Sequence, residues 1–355
     1  MTARVNSDLL LVGSLPAEST ETALRSAAGL YGDLVFALPD GETGMRAMWV
    51  GYDLITLLLP HPGVEAITPQ EAPPPPAPPV HLYQAPHLRV RDRSAALRFE
   101  SWPRIDDAIA SYRQFRALRE EGVIRPGLRF QVGLPYPFSV LYSFNQDFTA
   151  DYPVVASAYE DLVSRELQRL VSQIPPEDLA IQWDVCLELL DLEGVLPWTP
   201  QDGAWERFAG PVARLARLIP EQSLVGYHLC YGTYPEWPMY EARDMSLLVR
   251  MANHAVAHSG RTVDWVHLAG PRYLRSEEDG FFRPLADLDI GDTRVFLGII
   301  LPIDGLAGLL RRQATASKYL DQFGLAMYCG FGRQPGRDGA QTMREHASVV
   351  RAARG

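Results

Sequence analysis

Short apolar runs recur along the chain, each closed by a polar or glycine-containing turn: Leu9–Leu15, Leu34–Leu38, Leu128–Leu134, Ala180–Cys186, Leu224–Cys230, Val263–Leu268, Val295–Leu301 and Gly324–Cys329. Their length and their Val, Ile and Leu content predict buried strands. The stretches between them carry apolar residues at helical spacing instead, as in Ala156–Ile174, Trp205–Ile219, Asp244–Val256 and Gly305–Leu320, with Gln341–Ala352 after the last strand. Eight strands alternating with helices predict an α/β chain folded as a (β/α)8 TIM barrel, one domain over residues 1–355.

The alternation breaks once, between the second and third strands. Pro73–Pro76 and Pro78–Pro79 form a stiff polyproline segment. A hairpin-like stretch at His87–Phe99 and a helix at Ile105–Glu120 follow, so residues 61–122 read as an insertion within the barrel. It serves as a spacer or as a lid over the barrel mouth.

Composition narrows the function classes. The 355 residues are 47% hydrophobic and include seven Trp, enough to fill a large core. A net charge of -10 and an absence of Lys/Arg runs with interleaved aromatics argue against nucleic-acid partners. No segment has the ~20 consecutive apolar residues that cross a bilayer, and no secretory leader pattern is visible, so the expected location is cytoplasmic, with no membrane partner. Three Cys cannot build a disulfide framework, and reduced thiols remain available to a metal.

In such a barrel the loops at the carboxyl ends of the strands converge on one cavity. Ser14 ends the first strand. Asp40, Glu42 and Arg46 follow the second, Tyr136 the third, and Asp184 and Glu188 close the fourth. His228 and Cys230 close the fifth, His267 the sixth, and Cys329 and Arg333 the eighth, with Arg272 after the sixth. Alternate residues of a strand share a face, so His228 and Cys230 aim an imidazole and a thiol at one point, and Cys329 joins them as a soft metal site of zinc type. Asp40 and Glu42 form an acid cluster that binds a cation or moves a proton, or else a turn neutralised by Arg46. Arg272 and Arg333 offer bidentate contacts to a carboxylate or phosphate, or structural salt bridges. Cys186 reads as a small core hydrophobe, and His254 and His258 as helix surface.

Four motifs carry a family resemblance. Val12-Gly-Ser-Leu-Pro16, Ile181-Gln-Trp-Asp184, His228-Leu-Cys230-Tyr231 and Cys329-Gly330, in that order, resemble the catalytic barrel of cobalamin-independent methionine synthase, in the superfamily that includes uroporphyrinogen decarboxylase. The resemblance implies zinc held by His228, Cys230 and Cys329, Ser14 on a substrate carboxylate, and Asp184 on a substrate ammonium. It implies transfer of a methyl or other alkyl group to or from a small thiol or amino-acid-like substrate, with the metal-activated thiolate as nucleophile and a corrinoid or other methyl donor as partner. The family's zinc-binding Glu position is here Ala269, which leaves His267, water or substrate for the fourth bond, and the folate-binding half has no counterpart in this sequence. The alternatives are a metal-independent lyase or decarboxylase using Asp and Arg residues at the mouth, and a non-catalytic barrel that binds a ligand or a corrinoid protein. Composition divides evenly between a monomer and a homodimer.

Overall fold

The computed structural model describes residues 9–67, 86–233, 237–271, 278–301, 303–332 and 338–353. Strands β1 (Leu9–Leu10), β2 (Ala37–Pro39), β5 (Arg129–Pro135), β6 (Leu179–Val185), β7 (Leu224–Leu229), β8 (Trp265–Ala269), β9 (Arg294–Ile300) and β10 (Gly324–Met327) form one eight-stranded parallel sheet. The remaining two strands, β3 (Val64–Ile67) and β4 (His87–Val90), make a separate antiparallel pair. The order of the large sheet, β1-β10-β9-β8-β7-β6-β5-β2, follows the chain around a nearly closed (β/α)8 barrel. All eight predicted strands are present.

The first strand is shorter than its apolar run. Only Leu9 and Leu10 pair with β10, and toward the β2 side the Leu9 N–H donates to Leu34 O at 3.3 Å and, further along, the Leu15 N–H to Gly41 O at 2.9 Å. Between these two bonds the carbonyls of Leu11 and Val12 are answered by side chains. Gln131 Nε2 donates to both, at 2.9 and 3.0 Å, and Gln182 Nε2 donates to Val12 O at 2.6 Å. Buried carbonyls need partners, and two glutamine amides inside the barrel supply them in place of a neighbouring strand.

Two apolar cores follow from strand parity. Outward residues pack against the helices, and inward ones near the base of the barrel form a second cluster of Leu10, Val12, Ala37, Ala180, Leu224, Trp265, Phe296 and Ala326. Trp265 fills much of that interior because Gly226 faces it. A Cβ at Gly226 would lie 2.0 Å from the indole, so the neighbouring strand must carry glycine there.

The largest departure of a helix boundary from the periodicity comes after β5. The helix after β5 spans Phe148–Gln173 and starts two turns before Ala156, because buried Phe148, Asp151 and Val155 share one face while Pro153 disguises the segment as a break. The helix Pro103–Glu120 packs against Thr20–Tyr31 on one side and Phe148–Gln173 on the other. It therefore takes the ordinary place of a barrel helix, and the departure from alternation within 61–122 lies in what precedes it. The hairpin also has a different partner from the one expected: His87–Val90 pairs with the upstream Val64–Ile67, in register Val64↔Val90 and Ile67↔His87, and not within His87–Phe99. The polyproline segment lies outside the described residues.

One buried ion pair ties the Pro103–Glu120 helix to the barrel mouth. Asp53 is fully buried and Arg104 nearly so. Arg104 Nη2 donates to Asp53 Oδ2 at 2.5 Å and to the Trp49 carbonyl at 2.9 Å, and Trp102 Nε1 donates to Asp53 Oδ1 at 2.7 Å. Removing one partner of such a pair strands a charge, at a cost of about 3–5 kcal/mol. Arg104→Met should lower the urea unfolding free energy by that amount, and a loss below ~1 kcal/mol would show that the pair is not what anchors this helix.

Candidate metal centre and substrate cavity

The mouth of the barrel holds a cavity of about 540 Å3. Its floor is set by strand register. Asp184 of β6 pairs with His228 of β7, and His228 with His267 of β8, so three inward residues stand side by side at one height. One step further along the same face come Cys186 and Cys230. Cys329 follows β10 and closes the ring from the other side.

His228, Cys230 and Cys329 each offer one ligand atom, and these atoms lie within 4.8 Å of one another. His228 and Cys230 are buried and Cys329 is partly buried. This group can hold a metal ion. The neighbouring Cys186 thiol is the main influence raising the Cys230 pKa, opposed by Cys329 and reinforced by burial, and the Cys230 thiol in turn raises Cys329. A bound cation reverses this preference by favouring the thiolates.

His267 stands behind this cluster, not in it. Its Nδ1 is 2.6 Å from His228 Nδ1, and its Nε2 is 2.9 Å from the Met327 carbonyl. Both ring nitrogens are engaged, which leaves none for the fourth metal bond expected of it. Burial lowers its pKa to about 4, partly offset by the Met327 contact.

The loop after β2 divides its acids between two tasks. Asp40 pairs with Arg46 and accepts the Glu42 N–H at 2.9 Å through Oδ1. Arg46 also donates to Thr20 Oγ1 at 3.1 Å. Both residues lie outside the cavity lining, so the pair acts as the turn brace that was the alternative reading. What it braces is Glu42, held at φ 46°. A Cβ at Gly133 would sit 3.0 Å from Glu42 Oε1 and 3.2 Å from Asp184 Oδ2, so both carboxylates flank the same glycine. Burial, then the Glu42 charge, drives the Asp184 pKa well above the usual carboxylate range, while Gln182 Nε2 donates to Asp184 Oδ1 at 2.9 Å and opposes the shift.

Ser14 lines the cavity beside Gly330, and its Oγ accepts the Gly332 N–H at 3.3 Å, which leaves the hydroxyl proton to donate. The outer wall comes from the segment braced by Asp40 and Arg104, with Met48, Trp49, Val50 and Leu54 facing the cavity. Trp49 holds φ 54°, rare for a bulky side chain. Tyr142, Leu187 and Met239 complete an apolar surround.

Two expected substrate contacts are placed elsewhere. Tyr136 packs between Trp183 and Phe208 outside the barrel and donates to the Phe208 carbonyl at 2.9 Å. Glu188 lies in the first turn of the helix Leu187–Leu192 and accepts from Ser139 N and Oγ, at 2.8 and 2.6 Å, and from Cys186 N at 3.2 Å. It joins two mouth loops from behind. Arg272 and Arg333 lie outside the described residues. The sequence reading missed Cys186, whose thiol lines the cavity beside Cys230; its parity with Asp184, two residues earlier, was the available signal. His254 and His258 stack at 4.2 Å on their helix, near Trp205.

Glu188 supplies a pH prediction. Burial raises its pKa from 4.5 to about 7, against the pull of the Ser139 hydrogen bonds. A carboxyl with a raised native pKa stabilises the fold fully below its unfolded pKa, and that stability is lost as pH rises through the native value. Unfolding free energies should fall between pH 4.5 and 7, by at most about 3 kcal/mol from this group. Glu188→Gln should flatten the slope in urea titrations; an unchanged slope would assign it to other groups.

No protein-family model matches the sequence, and no curated protein matches it. Among the solved structures that share the fold are two methionine-synthase-type proteins. One, assigned as a vitamin-B12-independent methionine synthase from Listeria monocytogenes, aligns over 94% of this chain and 86% of its own, with a TM-score of 0.56 and 17% identity. The other, a B12-independent methionine synthase from Shewanella sp. W3-18-1 in complex with selenomethionine, aligns over 99% and 98%, with a TM-score of 0.54 and 15% identity. At these identities the likeness establishes a common barrel architecture, over nearly the whole of this chain.

Proposed function

We infer that the chain is a zinc-dependent enzyme that transfers a methyl or other alkyl group to or from a small amino-acid-like thiol. The observation that carries this reading is the meeting of two chemistries in one cavity: the imidazole and thiols of His228, Cys230 and Cys329, and the paired carboxylates of Glu42 and Asp184. The donor set suits zinc. Two sulfurs and one imidazole nitrogen match its preference, and a tetrahedral ion would hold them ~3.5–3.8 Å apart, within the span they already occupy. Three protein donors leave a fourth position for a substrate, as in catalytic sites of this metal. Zinc bound there would supply the Lewis acidity that makes a thiol a thiolate at neutral pH.

The chain's own residues then fix the substrate. Glu42 and Asp184 face the cavity from either side of Gly133 and suit an ammonium group, whose charge offsets the cost of holding two acids together. The Ser14 hydroxyl, in the same cavity, suits a carboxylate of the same molecule. Trp49, Leu54, Tyr142 and Met239 exclude water from the reacting end, where a desolvated thiolate is the stronger nucleophile. The selenomethionine complex of the Shewanella protein supports a ligand of this amino-acid type.

A metal-independent lyase draws on one observation, the raised Asp184 pKa, which favours the protonated carboxyl and so a proton donor at that position. The two readings part on metal. Protein purified without chelator should carry about one zinc per chain, and Cys230→Ser should lose it. Asp184→Asn should keep the zinc and weaken binding of an amino thiol by about 10- to 100-fold, the worth of a charge-assisted hydrogen bond. No zinc in the wild type, even after reconstitution, would remove the alkyl-transfer reading and favour the lyase.

A further inference from the structure

We propose that His267 is a positioning residue that fixes the tautomer of His228, so that the lone pair of His228 Nε2 faces the two thiols. The proposal rests on the reading of the imidazole-thiol cluster as a metal site, and its first test needs no metal.

The argument starts from a backbone carbonyl. Met327 O has only lone pairs to offer, so the 2.9 Å contact from His267 Nε2 requires the proton on that nitrogen. His267 is fully buried, which disfavours a second proton on its ring. Its Nδ1 is therefore an acceptor. The atom facing it at 2.6 Å is His228 Nδ1, which must donate. A neutral His228 with its proton on Nδ1 carries its remaining lone pair on Nε2, the ring nitrogen not in contact with His267, and the Cys230 and Cys329 sulfurs lie within 4.8 Å of the His228 ligand atom. The relay runs one way, from the carbonyl through two rings to the cluster.

The fold provides for this relay. His267 and His228 are direct neighbours in the ladder of β7 and β8, so their rings meet without any loop between them. Met327 ends β10 two residues before Cys329, so one short segment both anchors the relay and delivers a thiol to its far end. Space for the ring comes from Gly298 on β9, where a Cβ would stand 2.9 Å from His267 Nε2. The residue read from sequence as a ligand is thus the group that orients one, a role that such ring-to-ring contacts play behind ligating histidines.

Long-range 1H–15N spectra of the imidazole-labelled, metal-free protein would read the tautomer directly. His228, assigned by its loss in His228→Gln, should carry its proton on Nδ1. In His267→Phe that preference should be lost, with Nε2–H signals gaining. In His267→Gln, whose amide can accept from His228 and donate to Met327, it should be kept. Zinc affinity from chelator competition should fall about 10- to 100-fold in the Phe variant and stay close to wild type in the Gln variant. An Nε2–H His228 in the wild-type protein would overturn the proposal, as would a Phe variant that folds and retains the Nδ1–H form. If the Phe variant does not fold, the wild-type spectrum and the Gln variant decide the matter. A wild-type protein that binds no zinc but shows Nδ1–H His228 would remove the metal reading and leave the relay standing.

Discussion

The register of three parallel strands sets everything at the mouth of this barrel. Asp184, His228 and His267 are consecutive partners across β6, β7 and β8, and backbone ladders hold them at one height on one face. A slip of one residue in any of these strands would turn its functional group outward into the helix layer. Cys186 and Cys230 continue the same rows by one step, and acids, imidazoles and thiols are thereby sorted into adjacent columns without any specialised loop.

Loops supply what register cannot. Glu42 reaches the cavity only because its own backbone is held in a left-handed conformation, and that conformation persists because Asp40, Arg46 and Thr20 bind around it. The apolar wall beyond it leans on Arg104, a residue of a helix on the barrel's outer surface. The site is therefore built in two grades of rigidity. The metal-type donors and Asp184 sit on or immediately after strands, while Glu42 and Trp49 sit on a braced arch.

Much of this was legible from pattern. Eight apolar runs with helical spacing between them gave the barrel, and strand-end placement gave the cluster of His228, Cys230 and Cys329, because a period of two and a shared rim are properties of the chain. What stayed hidden depends on orientation around a bend or on partners far away in sequence. Tyr136 and Glu188 sit one residue past β5 and three past β6, where parity no longer predicts direction, and both turn behind the strands. His267 lies on the correct face, yet its nitrogens are taken by His228 and Met327, 39 and 60 residues away. The β3–β4 pairing was obscured by the distance between its strands, and Cys186 by the general habit of lone cysteines to be core.

Gln182 joins two features that would otherwise be separate. Its amide nitrogen spans from the Val12 carbonyl, at the barrel seam, to Asp184 Oδ1, at the substrate cavity. Oδ1 is thus occupied, and Oδ2 is the oxygen that, with Glu42 Oε1, flanks Gly133. Coupling between two such contacts is reciprocal. A cation that draws on Asp184 therefore bears, through Gln182, on the contact that answers the Val12 carbonyl. One amide group thus serves both the backbone of the barrel and the acid of its cavity, so a change at Gln182 would reach the two together.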